Sequence, residues 1–83
     1  MKEKTADEMF EELGYEKNID TPTNLIYQNK KNNKEIRFYK IYKCIETSLI
    51  EFEESEGNSI FFTMQELQAI NKKVEELGWM KQK

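Results

Sequence analysis

Residues 63–79, Thr-Met-Gln-Glu-Leu-Gln-Ala-Ile-Asn-Lys-Lys-Val-Glu-Glu-Leu-Gly-Trp, decide the fold class of this chain. Thr63 followed three residues later by Glu66 is a capping box. The threonine hydroxyl accepts from the Glu66 backbone N–H, and the glutamate carboxylate reaches back to the threonine N–H. Leu67, Ile70, Val74 and Leu77 then recur at spacings of 3, 4 and 3, an apolar stripe on one face of a helix. Met64 and Asn71 flank the stripe, and Lys72 and Glu76 make an i,i+4 charge pair on the outer face. Gly78 supplies the left-handed residue that ends a helix, and Trp79 falls where the apolar contact of that ending belongs. A helix with a single apolar stripe has to lie on something.

The same grammar appears at the other end of the chain. Thr5-Ala6-Asp7-Glu8 is a second capping box, and Ala6, Met9, Phe10 and Leu13 share a face. Gly14 and Tyr15 close it, which predicts a short helix over residues 6–13. Both helices finish Glu-Glu-Leu-Gly-aromatic, at Glu11–Tyr15 and Glu75–Trp79. Shared capping chemistry explains this more simply than an internal duplication.

The middle reads as sheet. Asn18 to Thr23 is a connector in which Pro22 forbids helix continuation, and Leu25-Ile26-Tyr27 suits a strand. Residues 30–33, Lys-Lys-Asn-Asn, are turn chemistry. Glu35 to Tyr42 reads as a strand whose alternation slips at Phe38-Tyr39, predicting a bulge or an early turn. Ile45 to Glu54 is a further β-rich stretch, Glu56 to Ser59 a turn, and Ile60-Phe61-Phe62 a last short strand. The expectation is one α+β domain over residues 1–83. It has a short N-terminal helix, a three- to four-stranded antiparallel meander and a C-terminal amphipathic helix packed on the sheet.

Composition narrows the function. The 83 residues are 37% hydrophobic and 35% charged, with mean hydropathy −0.89, no histidine, one cysteine and one proline. No apolar run approaches the roughly 20 residues of a membrane-spanning helix, and no basic-then-apolar leader precedes the first helix. Cytoplasmic location and no membrane contact follow as expectations. Without histidine there is no His-based triad, and one cysteine cannot furnish a zinc site or an internal disulfide. Cys44 is expected to be a small buried or half-buried residue of a reducing compartment. The three glycines match neither phosphate-binding loop. Neighbouring carboxylates, Glu11/Glu12, Glu53/Glu54 and Glu75/Glu76, diverge on either a helix or a strand. The expectation is a non-enzymatic protein with no catalytic residue, no cofactor and no metal.

Charge alternates by segment. Residues 1–29 carry 3 basic and 7 acidic side chains, residues 30–43 carry 6 and 1, residues 44–66 none and 6, and residues 67–83 carry 4 and 2. Basic and acidic strands side by side are the natural pairing in a sheet. One block has a second reading. Lys30, Lys31, Arg37, Tyr39, Lys40 and Lys43 interleave cations with an aromatic ring, the chemistry of a single-strand nucleic-acid surface. A sequence pI of about 5.1 weighs against nucleic acid as the main partner, so this is the alternative function. Thirteen basic residues likewise weigh against an acidic mimic of DNA. For protein contact the candidates are Asn71 at the seam of the C-terminal helix and Phe61, Trp79 and Met80 as an apolar patch. That patch could also serve self-association.

Finally, Phe62-Thr63-Met64-Gln65-Glu66-Leu67-Gln68-Ala69-Ile70-Asn71 with Glu75-Glu76-Leu77-Gly78-Trp79 resembles small uncharacterised proteins of phages and prophages of low-GC Gram-positive bacteria. Thr5 to Lys17 is similar to their N-terminal helix. The resemblance covers about the outer 30 residues and carries no activity. It implies a host-cell cytoplasm and an accessory role in a phage programme, with a host or phage protein as partner.

Overall fold

A computed structural model of the chain describes residues 3–51 and 61–79. Helix α1 spans Ala6–Glu12, followed by strands β1 Glu16–Asp20, β2 Asn24–Asn29, β3 Lys34–Tyr39 and β4 Cys44–Leu49, and helix α2 Met64–Glu76. Both capping boxes form. The Glu8 N–H donates to Thr5 Oγ1 at 3.1 Å and the Thr5 N–H to Glu8 Oε1 at 2.9 Å. The Thr63 pair repeats this at 3.0 and 2.9 Å. Each box satisfies two helix N–H groups that have no intrahelical acceptor.

The strands form one antiparallel meander in the order β1-β2-β3-β4, the pairing that short connections permit. Leu25 lies opposite Phe38, Tyr27 opposite Ile36, and Phe38 in turn opposite Ile45. Directly opposed residues share a face, so these side chains form the apolar underside on which the helices sit. The core is Phe10, Tyr15, Leu25, Tyr27, Ile36, Phe38, Ala69, Ile70 and Val74. The Phe10 ring stacks on Tyr27 with centroids 4.1 Å apart and meets Tyr15 and Phe38 edge-on. Trp79 leans on Phe38 at 6.0 Å, the contact expected of the residue after Gly78.

The structure shows the α+β layout, and it relocates several elements. The connector foreseen at Asn18–Thr23 is in part strand: Glu16–Asp20 pairs with β2, and only residues 21–23 turn. The five residues of β1 are all exposed, so no hydrophobic alternation marks the strand in the sequence. The strand foreseen from Glu35 to Tyr42 stops at Tyr39, and residues 40–43 turn. The slip at Phe38-Tyr39 therefore marks an early turn, closed by Lys43 at φ 57°. Strand β4 ends at Leu49, short of Glu54. Phe61 and Phe62 are not in a strand, so the fourth strand is β1. Ile60, residues 52–54 and the turn at Glu56–Ser59 lie outside the described residues. Helix α1 ends one residue before Leu13.

Three side-chain expectations change as well. Cys44 is exposed, because it opens an edge strand on the face away from the helices. Lys72 bonds Glu3 at 2.7 Å and Glu75 at 3.6 Å in place of Glu76. Glu76 instead meets Lys73 at 3.3 Å and accepts the Ala6 N–H at 2.8 Å. Leu67, counted in the core stripe, is 39% exposed.

Candidate functional site

Two ionic anchors fix how α2 lies, and the site follows from them. The first is Glu66, 4% exposed. Beyond capping α2, its carboxylate accepts from Lys34 Nζ at 2.7 and 2.9 Å and from the Tyr15 hydroxyl at 2.8 Å. Burial raises the Glu66 pKa, but Lys34, the Thr63 N–H and Tyr15 together outweigh it and leave the group below its ordinary value. Burial, then the bond to Glu66, pushes the Tyr15 hydroxyl up. A buried charge is tolerated only when it is satisfied in this way. The cluster holds the start of α2 over β3. Lys34 Nζ also donates to the Phe61 carbonyl and lies 5.9 Å from the Phe62 ring centroid, so the residues leading into α2 are held too.

The second anchor faces α1. Asp7 accepts from the Tyr27 hydroxyl at 2.5 Å and Lys17 at 2.9 Å, with Lys73 at 3.3 Å. Glu76 receives the Ala6 N–H. Lys73 and Glu76 thus define the side of α2 that meets α1. Met64 and Leu67 each precede one of them by nine residues, which is about half a turn around the helix at 3.6 residues per turn. Both point away from α1. Met64 is 67% exposed, and Phe61 and Phe62 beside it are 73% and 38% exposed. On the helix-bearing face of the sheet, Ile45, Thr47 and Leu49 of β4 are only half-buried. Two helices over four strands leave this flank uncovered among the described residues.

The residues singled out from the sequence are dispersed. Lys30 and Lys31 are exposed in the β2–β3 turn, where they line a groove of about 480 Å³ with Asn33, Ile50 and Glu51. Lys40 and Lys43 lie in the β3–β4 turn at the opposite end of β3, about 20 Å away at 3.3 Å per residue. Lys40 is paired with Asp20 at 2.9 Å. Between them, on the open face, Arg37 binds Glu35 at 2.7 Å and the Tyr39 hydroxyl donates to Glu46 at 2.6 Å. The block is therefore two lysine pairs separated by acid-paired residues. Of the protein-contact candidates, Phe61 and Asn71 are exposed, Trp79 belongs to the rim of the core, and Met80 lies outside the described residues.

The residues that sequence reasoning passed over are Met64, Leu67 and Phe62. The available signal was the apolar run around the cap, Phe61-Phe62-Thr63-Met64, which the core-facing stripe does not absorb. The open face of the sheet carries a polar chain: Asn18 donates to Gln28, and Gln28 and Arg37 both donate to Glu35. Among the described residues no cluster of His, Cys, Asp or Glu could hold a metal, and no helix is long and apolar enough to cross a membrane. A groove of about 500 Å³ beside α1 contains Asp7, Lys17 and Tyr27, but these already bond one another.

No protein-family model, curated protein or solved structure matches the chain. The functional reading therefore rests on the geometry above.

Proposed function

We propose that the chain is a non-enzymatic accessory protein of a phage or prophage programme that works in the cytoplasm as a protein-interaction module. The observation that carries the interaction reading is the exposed apolar start of α2: Phe61, Phe62, Met64 and Leu67 stand in solvent on backbone held by the Lys34–Glu66 cluster. Aromatic and methionine side chains are what interface cores enrich, and a pre-ordered patch loses little conformational freedom when a partner covers it. The phage setting rests on the resemblance read from the sequence at Phe62–Asn71, Glu75–Trp79 and Thr5–Lys17.

The test compares the immobilised chain with a Met64→Asp/Leu67→Asp variant whose circular dichroism is unchanged. The expected result is a discrete set of host or phage proteins retained by the unaltered chain and lost from the variant. Equal retention by both would overturn the reading.

A further inference from the structure

We propose that the outer edge of β4 is a strand-addition site for an extended, cationic segment of a partner protein. This rests on the interaction reading above and names the chemistry of the partner.

The two edges of the sheet differ in how they are guarded. Natural edge strands avoid stray pairing through bulges, prolines and lysines. Strand β1 has such devices. Its register shifts between Lys17 and Ile19, Lys17 is tied to Asp7 and Asp20, and Pro22 follows it. Strand β4 has none of them. All six of its residues pair in unbroken register with β3, from Lys34–Leu49 to Tyr39–Cys44. It contains no proline and no basic residue, and Ile45, Thr47 and Leu49 suit a pleated strand. Among the described residues no strand lies beyond it. An added strand would find backbone donors and acceptors along β4. Every second side chain would enter beside Ile45, Thr47 and Leu49 on the helix-bearing face of the sheet. Main-chain bonds supply affinity in this mode and alternate pockets supply specificity.

Charge chooses the occupant. Strand β4 holds Glu46 and no basic residue, Glu51 follows it, and both carboxylates are exposed. A second copy would set the same strand, with Glu46 and no basic residue of its own, against itself. A strand bearing Lys or Arg sets opposite charges across the new ladder, which is the favourable pairing.

The probes are three short blocked peptides: alternating Val and Lys, alternating Val and Glu, and the Val/Lys peptide with a central proline. Each is titrated into the isotope-labelled full chain while amide hydrogen exchange is followed. The Val/Lys peptide should slow exchange at alternate amides of residues 44–49 and weaken as salt is added, and the proline peptide should not bind. The Val/Glu peptide should bind about tenfold more weakly, the scale of two surface charge pairs turned repulsive. A Glu46→Lys/Glu51→Lys variant should reverse that preference. Equal binding of the two charged peptides, protection elsewhere than β4, or no binding would overturn the proposal. So would β4 protection without peptide that rises with protein concentration, which identifies a second copy as the occupant. If the peptide fails while Met64→Asp/Leu67→Asp still abolishes capture, strand addition falls and the interaction reading stands. If the peptide binds as expected and capture is unaffected by that variant, the patch at the start of α2 falls and the edge stands.

Discussion

Asp7 ties three elements together with one carboxylate, through Tyr27 of β2, Lys17 of β1 and Lys73 of α2. Its partial burial disfavours the charge, yet the hydrogen bonds from Tyr27 and Lys17 and the nearby Lys73 prevail and hold its pKa at about 2, against an ordinary 3.8. A carboxylate with a folded pKa below its unfolded one stabilises fully above the unfolded value, and the contribution disappears as pH falls through the folded value. Asp7→Asn should therefore cost stability at neutral pH, with the cost shrinking as pH falls below 3.8 and vanishing as pH drops through about 2. The side chain is 44% exposed, so solvent screening reduces the effect to about 1 kcal/mol. Urea unfolding followed through Trp79 fluorescence at neutral and acidic pH checks this. An offset that stays constant across the range would show that Asp7 acts through packing alone.

At the scale of the elements, Gly14 and Gly78 end the two helices with the same bonds. The Tyr15 N–H reaches the Phe10 carbonyl at 3.0 Å and the Trp79 N–H the Val74 carbonyl at 3.1 Å. Both glycines are left-handed, at φ 99° and 79°, but their surroundings differ. A Cβ on Gly14 would stand 3.2 Å from Asn29 Nδ2, whereas one on Gly78 would meet nothing within 4 Å. Asn29 is 1% exposed and donates to the Leu13 carbonyl, so it has little room to move. Gly78→Ala should cost about 1 kcal/mol for the backbone alone, and Gly14→Ala roughly twice that once Asn29 is displaced. Equal losses in thermal unfolding would mean that Asn29 yields freely. These endings were legible in the sequence because capping is local: Thr, Glu, Gly and an aromatic act within a few residues of each other. Strand β1 was not legible, since all five of its side chains are exposed and its partner alone defines it. Leu67 misled for a related reason. Helical spacing gives the direction of a side chain, but whether a neighbour covers it depends on where α1 lies, and Lys73 and Glu76 set that through contacts more than sixty residues away in sequence. Phe61 was foreseen as exposed and Trp79 as part of the same patch. The ending at Gly78 that was read correctly is also what turns Trp79 onto Phe38.

For the whole molecule, the aromatic cluster under the sheet and the apolar flank beside it have opposite energetic roles. A chain of this length has a total stability of about 4–12 kcal/mol, and one aromatic cluster spans both layers. Phe10 is fully buried, stacked on Tyr27 and in edge contact with Tyr15 and Phe38. Phe10→Ala should cost about 3–5 kcal/mol, enough to leave much of the population unfolded at physiological temperature. Because Trp79 is the lone tryptophan and packs on Phe38, its emission and the near-ultraviolet circular dichroism report the loss directly. Met64→Asp and Leu67→Asp lie on the uncovered flank and should shift stability by no more than about 0.5 kcal/mol each. A large loss from either would mean that the flank is packed in solution and unavailable to a partner. The separation of a destabilising Phe10→Ala from neutral changes at Met64 and Leu67 is what a binding surface built on an independent core requires.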